Sequence, residues 1–105
     1  MEVYKVKIYP AAEQDLRDII AYLNTLSSQA AFGYYDRLTE EIASLSRMPE
    51  RCPRLRDMAL AARGYRCLTV GSYLVFYVVR GDTVQIRRIL YGRRDYGSII
   101  DRNGG

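Results

Sequence analysis

Polar and apolar residues alternate at the start of the chain and then change to helical spacing. Residues 4–8, Tyr-Lys-Val-Lys-Ile, alternate with period two, which predicts a first strand that ends at Pro10. Two apolar stripes with members three or four residues apart then predict two helices. The first should extend to about Leu26, and the second should end before Met48-Pro49 because proline disfavours helix at the preceding residue. The stripes are Ala12, Leu16, Ile19, Ile20 and Leu23, and Ala31, Tyr34, Tyr35, Leu38, Ile42 and Leu45.

The second half of the chain has the pattern of consecutive strands. Residues 49–63, rich in proline and arginine, predict a loop with a short helical turn near 57–62. Strands are predicted at 64–70, 73–80 and 83–91, separated by glycine-containing hairpin turns at 71–72 and 80–82.

The order is therefore strand-helix-helix-strand-strand-strand, and hairpin connections make the last three strands an antiparallel meander. We predict an α+β domain with an antiparallel sheet packed against an N-terminal helical hairpin. A single domain should span residues 1–105, with a polar tail from about residue 97.

The charge is distributed unevenly along the sequence. Residues 1–50 carry 5 basic and 8 acidic side chains, whereas residues 51–105 carry 11 arginines and 4 aspartates. A basic half of this kind favours binding to nucleic acid or to an acidic protein. No apolar run approaches the roughly 18–20 residues that span a bilayer, and no signal-peptide pattern opens the chain, so no membrane association and a cytoplasmic location are expected.

The absence of histidine removes several kinds of chemistry. A nucleophilic triad lacks its base, and Cys52 and Cys67 are too few and wrongly spaced for a zinc site, so no metal and no cofactor are expected. Cys67 lies in a strand pattern and is predicted to be a small core residue.

Arginine and tyrosine dominate the residues that remain as candidates. Because side chains alternate along a regular strand, the neighbours Arg87 and Arg88 should point to opposite faces, one to solvent and the other toward the helices or a strand edge. Arginine and tyrosine on one sheet face could bind single-stranded RNA, and the same composition is typical of a protein interface. Tyr73 and Tyr77 share one face of a strand and are predicted to lie in the core. The candidate residues for partner or nucleic-acid binding are Arg63, Arg66, Arg87, Arg88, Arg93 and Arg94.

The element order, together with several short segments, resembles the RelE/ParE superfamily of toxins from bacterial type II toxin–antitoxin, or plasmid stabilisation, systems. The segments are residues 11–16 (Ala-Ala-Glu-Gln-Asp-Leu), 64–66 (Gly-Tyr-Arg), 73–77 (Tyr-Leu-Val-Phe-Tyr) and 89–95 (Ile-Leu-Tyr-Gly-Arg-Arg-Asp). The resemblance covers essentially the whole chain. It implies growth inhibition by the toxin and neutralisation by a cognate antitoxin, with contacts expected at the helical hairpin groove and the sheet surface.

Few positions distinguish the two branches of the superfamily. ParE-like members inhibit DNA gyrase, whereas RelE-like members are metal-independent endoribonucleases that cut mRNA on the ribosome. RelE-like nucleases typically carry arginine after the tyrosine that opens the third strand, and here Leu74 follows Tyr73. A leucine cannot stabilise a phosphorane-like transition state, so the resemblance favours the ParE-like branch.

The alternatives are a RelE-like nuclease and an inactive relative that only binds its antitoxin. For the nuclease, arginine would stabilise the transition state and tyrosine would transfer the proton. Its catalytic residues would be Arg66, Arg94, Tyr91 and Tyr96.

Overall fold

The computed structural model describes residues 2–92 and 99–100. Within them, no helix has the length and apolar character needed to cross a bilayer. Residues 2–92 form four strands and three α-helices in the predicted order, with a 3-10 turn at Pro49–Arg51 between α2 and α3. Their bounds are β1 Lys5–Ile8, α1 Pro10–Leu26, α2 Ser28–Ser44, α3 Met58–Ala62, β2 Arg66–Val70, β3 Tyr73–Arg80 and β4 Thr83–Tyr91.

The ends of the long helices follow from local chemistry. Pro10 occupies the first position of α1, where its missing N–H is not needed. Ser27 is extended (φ −167°, ψ 127°), which ends α1, and its Oγ accepts a hydrogen bond from the Ala30 N–H at 3.2 Å, which caps α2. The predicted boundary between the helices is confirmed.

The four strands form one sheet in the order β1-β4-β3-β2. Strands β2, β3 and β4 pair antiparallel, as the hairpin turns predict, but β1 pairs parallel with β4. The prediction of an antiparallel sheet therefore holds for three strands, and the complete sheet is mixed. The physical reason is the helical crossover, which carries the chain from β1 to β2 at the opposite edge of the sheet and makes these two strands parallel. Two antiparallel hairpins then bring β4, parallel to β2, beside β1.

Each face of the sheet covers its own apolar cluster. The helical hairpin packs on one face, over a cluster that includes the buried rings of Tyr73 and Tyr77. Helix α3 packs on the other face over Leu60, Tyr65, Phe76, Val78, Leu90 and Ile100. The placement of Tyr73 and Tyr77 in the core is confirmed, while the predicted polar tail contributes a buried Ile100 and otherwise lies outside the described residues.

The turn between β2 and β3 depends on glycine for two reasons. Gly71 has φ +59°, and a Cβ added there would lie 2.6 Å from the Tyr34 hydroxyl. Gly81, in the turn between β3 and β4, also has φ +59°, but a Cβ there would meet nothing within 4 Å. The two turns thus differ in the space around the glycine, but both have a left-handed backbone that would strain any other residue.

We expect Gly71→Ala to lower the free energy of unfolding by about 3 kcal/mol, because it combines left-handed strain with overpacking. Gly81→Ala carries the strain alone and should lower it by about 1 kcal/mol. Urea unfolding of both variants measures the difference. Adding Tyr34→Phe should recover part of the loss only at Gly71, and equal losses at the two glycines would contradict the contact with Tyr34.

Candidate functional site

Arg66 lies at the start of β2 and binds the backbone of the segment that follows α2. Its Nη1 donates to the Cys52 carbonyl at 2.6 Å and to the Glu50 carbonyl at 3.2 Å, and its Nη2 lies 3.8 Å from the Glu50 carboxylate. The neighbouring Tyr77 hydroxyl donates to the Pro49 carbonyl at 2.6 Å, and burial raises the pKa of this phenol. These bonds hold the 3-10 turn against the sheet.

A β-bulge in β4 separates the directions of Arg87 and Arg88. Phe76 pairs with Arg88 while Tyr77 pairs with Ile86, so Arg87 is the additional residue. Arg88 turns toward α1, whereas Arg87 lies on the opposite face of the sheet, 4.5 Å from the centroid of the Tyr9 ring. The predicted divergence of the two side chains is confirmed.

Arg88 forms a bidentate ion pair with Asp15 of α1. Its Nε and Nη2 donate to the two carboxylate oxygens at 2.7 and 2.9 Å, and the Ile89 N–H donates to the same carboxylate at 2.9 Å. The two side chains are only 14% and 12% exposed. The hydrogen bonds to Asp15 raise the pKa of the Arg88 guanidinium. This pair fixes α1 on β4, a role that the sequence did not predict for Asp15.

Arg63 ends α3 and is also engaged within the chain. Its guanidinium carbon lies 5.4 Å from the centroid of the Tyr65 ring, and its carbonyl accepts a hydrogen bond from Arg80 Nη2 at 3.0 Å. The described candidate arginines therefore do not converge on one point of the sheet. Arg93, Arg94 and Tyr96 lie outside the described residues.

A cluster of tyrosines marks the far end of β4. The rings of Tyr91 and Tyr34 each meet the Tyr73 ring edge-on, at 5.9 and 5.4 Å between centroids. Tyr91 is 44% exposed, while burial raises the pKa of Tyr73. An open cavity of about 440 Å³, the tyrosine cavity, is lined by Asp15, Asp18, Ile19, Tyr22, Tyr73, Ile89, Leu90 and Tyr91.

The residues of the nuclease hypothesis that are described lie apart. Arg66 is opposite Tyr77, and Tyr91 is opposite Tyr73, so they are offset by four residues along β3. At the usual rise of a strand this offset is about 13 Å, too far for both side chains to act on one phosphate. Leu74 packs in the apolar cluster beneath α3. No phosphate clamp is assembled from these described residues.

A groove along the outer side of the helical hairpin presents a second candidate surface. Two adjoining cavities of about 400 and 540 Å³ share Ile20, Asn24 and Tyr35. Phe32 lines the first and is 73% exposed. The sequence did contain a sign of this surface. Phe32 is a large apolar residue of α2 that lies outside the apolar stripe to which the buried Ala31 and Leu38 belong. We call this surface, together with Leu16 and Ala31, the hairpin groove.

The cysteines and acidic residues give no sign of thiol or metal chemistry. Cys67 packs against the cluster beneath α3, and burial raises its pKa to about 11, so its thiol is protonated at neutral pH. Among residues 2–92 and 99–100, no group of three or more acidic or cysteine side chains could hold a metal ion.

Comparison with known proteins identifies the family. The model of the family described as the ParE toxin of the type II toxin–antitoxin system, parDE, matches residues 6–96. The chain belongs to the ParE toxin family. The matched residues include the hairpin groove, the tyrosine cavity and every strand residue except Lys5.

Solved structures support the fold of this ParE-family chain. A chain of the chromosomal ParDE toxin–antitoxin system from P. aeruginosa is 22% identical with a TM-score of 0.73, and the match covers 85% of this chain and 96% of that one. A chain of the RelBE2 toxin–antitoxin complex from Mycobacterium tuberculosis is 26% identical with a TM-score of 0.56, covering 87% and 93%. Among curated proteins, none matches the sequence significantly.

Proposed function

We propose that this ParE-family toxin inhibits DNA gyrase by binding to it and is neutralised by a cognate antitoxin. The observation that carries the proposal is the dispersal of the groups that a nuclease would need. Arg66 donates to the carbonyls of Cys52 and Glu50, Leu74 packs in an apolar cluster, and Tyr91 lies about four strand residues away from Arg66.

Inhibition by binding requires no base and no phosphate clamp. A rigid surface with exposed aromatic side chains is sufficient, since such residues dominate the binding energy of protein interfaces. Tyr22 and Tyr91 at the tyrosine cavity meet this requirement, and the Asp15–Arg88 pair holds the two elements that carry them. The match of the ParE toxin family model to residues 6–96 also supports the ParE-like branch.

The hairpin groove is the proposed docking site for the antitoxin. The solved relatives come from toxin–antitoxin systems, and an amphipathic helix is the kind of segment that fills an apolar groove between two helices. Phe32, Tyr35 and Ile20 would face the apolar side of that helix. Neutralisation then follows because the bound antitoxin covers the hairpin and prevents access to the target.

The test distinguishes inhibition of gyrase from cleavage of mRNA on the ribosome. We expect the purified toxin to stop gyrase from supercoiling relaxed plasmid, with full recovery when an equimolar amount of antitoxin is added. In a translation reaction, primer extension should show intact mRNA.

Cleaved mRNA with normal supercoiling would identify a RelE-like nuclease instead. In that case Tyr91→Phe, which removes only a hydroxyl from an exposed side chain, should reduce cleavage. If the toxin affects neither reaction, it is an inactive relative that binds its antitoxin only.

A further inference from the structure

On the face of the sheet opposite the helical hairpin, β1 and β4 carry a group of cations that the proposed function does not use. Val6 and Ile8 of β1 face the helical hairpin, so Lys5 and Lys7, which alternate with them, point to the opposite face. Because β1 is parallel to β4, Lys7 is aligned with Gln85 in β4. The bulge in β4 leaves Arg87 on this face, beside Gln85.

Lys7 and Arg87 share a single aromatic ring. The Lys7 Nζ lies 5.6 Å from the centroid of the Tyr9 ring, and the Arg87 guanidinium carbon lies 4.5 Å from it. The two charged groups are therefore no more than about 10 Å apart, the sum of these two distances. In the part of the chain that the structure describes, neither side chain forms an ion pair with a carboxylate.

Two like charges kept together without a counter-charge produce a local positive potential. The tyrosine ring offsets it only partly, because a cation–π contact contributes about 0.5–1 kcal/mol at an exposed site. An anion placed between the two cations would lower their mutual repulsion. Such an anion would need to accept hydrogen bonds from both side chains, and a phosphate group does so.

The Arg87 side chain is already positioned to bind. It lies over the Tyr9 ring, and its Nη1 donates to Gln85 Oε1 at 3.3 Å. Within residues 2–92 and 99–100 its other donors have no acceptor, so they are available to a ligand. An ordered guanidinium loses little further freedom when it binds an oxyanion. A β-bulge is a known way to redirect a side chain at a functional position.

We propose that Lys7 and Arg87, supported by Tyr9, form a binding site for the phosphodiester backbone of a nucleic acid. Lys5 extends the site, since it lies two residues before Lys7 on the same face, about 7 Å away by the rise of a strand. The Asp82 carboxylate is 3.9 Å from Lys5, but both groups are well exposed and such pairs are weak. A row of cations along a strand fits regularly spaced phosphates.

A protein ligand fits this face less well. Strong protein interfaces have an apolar anchor in a pocket, and the cavities described above are lined by residues on other parts of the molecule. The inference does not depend on gyrase as the target, because its test measures nucleic-acid binding directly and uses no gyrase.

The test uses the full-length toxin with a short labelled duplex DNA and a labelled single-stranded RNA of equal length. The variant is Lys7→Gln/Arg87→Gln. Its matched control, Arg17→Gln/Arg37→Gln, removes two charges from the helices on the other side of the sheet, and Arg37 also lies over a tyrosine ring, at 5.9 Å from Tyr34. Fluorescence anisotropy at several salt concentrations gives the affinity and its salt dependence.

We expect Lys7→Gln/Arg87→Gln to bind at least tenfold more weakly. The slope of log K against log salt should flatten, for each lost phosphate contact, by about 0.9 on the duplex DNA or about 0.7 on the single-stranded RNA. The control should lose less than about threefold, because its charges act only at long range. Thermal unfolding should show both variants folded. Binding to either polymer supports the proposal, and the comparison shows which one is preferred.

Three results would overturn the proposal. The first is equal weakening by the two double variants, which would mean that only net charge matters. The second is tighter binding of wild type to a polyglutamate peptide than to either nucleic acid, which would assign the site to acidic proteins. The third is no binding to either polymer at low salt.

Discussion

Replacing Asp15 with alanine is expected to lower the free energy of unfolding by about 3–5 kcal/mol, the loss typical of a buried ion pair that keeps one partner. The Arg88 guanidinium would lose both of its carboxylate hydrogen bonds, and the Ile89 N–H would lose its acceptor. Because the side chains of the pair are 12–14% exposed, little water is available to replace those bonds. Urea denaturation monitored by circular dichroism measures the change.

Asp18→Ala provides the matched control. Asp18 lies one turn later on α1 and is exposed, and among the described residues its carboxylate accepts a hydrogen bond only from Gln14 Nε2, at 2.8 Å. Its removal should change the stability by less than about 0.5 kcal/mol.

A second variant tests the cause of the loss at Asp15. In Asp15→Ala/Arg88→Met no charge remains buried, so the double variant should be more stable than Asp15→Ala alone although the Ile89 N–H stays unpaired. If the double variant is instead less stable than Asp15→Ala, the buried charge is not the source of the effect.

The local elements of the fold could be predicted because their signals are local. Ser27 ends one helix and caps the next, and glycines at 71 and 81 set the ends of three strands, so strands β3 and β4 have the predicted bounds. Strand β2 begins two residues later than predicted, after Gly64, whose φ is +85°. Alternation within β3 was enough to place Tyr73 and Tyr77 in the core.

The pairings between distant parts of the chain could not be predicted in the same way. Period-two alternation assigns Lys5–Ile8 to a strand but contains no information about its neighbour or direction. The ion pair between Asp15 and Arg88 joins residues 73 positions apart. The bulge at Arg87 depends on how β4 meets β3, which is a property of the assembled sheet.

The candidate site was harder to predict than the fold because residue type does not determine what a side chain contacts. In the sequence Arg66 and Arg87 look alike, since both are arginines in predicted strands. In the structure, however, Arg66 donates to backbone carbonyls of the segment that contains the 3-10 turn. The bond to the Cys52 carbonyl is partly buried, and a carbonyl withdrawn from water needs a donor from the protein. Arg87 and Lys7 lie near a tyrosine ring and form no ion pair with any carboxylate that the structure describes, an arrangement that depends on the parallel pairing of β1 with β4.

Replacing Phe32 with glutamate should weaken the binding of the cognate antitoxin by about 100-fold, which corresponds to about 2.7 kcal/mol. Phe32 is 73% exposed on the first turns of α2 and lines the hairpin groove with Tyr35 and Ile20. An aromatic side chain that is exposed in the free toxin would be buried by an amphipathic helix, and a carboxylate at this position would lose its hydration without gaining a partner. Isothermal titration calorimetry with purified antitoxin measures the loss.

Met58→Glu is the matched control for Phe32→Glu, because it introduces the same charge at a large apolar residue that is 86% exposed. Met58 begins α3, which packs on the face of the sheet opposite the helical hairpin. Both variants should remain folded, since neither side chain belongs to an apolar cluster. In cells, antitoxin should then fail to rescue growth only for Phe32→Glu, whereas equal loss of affinity in the two variants would show that antitoxin recognition does not depend on the hairpin groove.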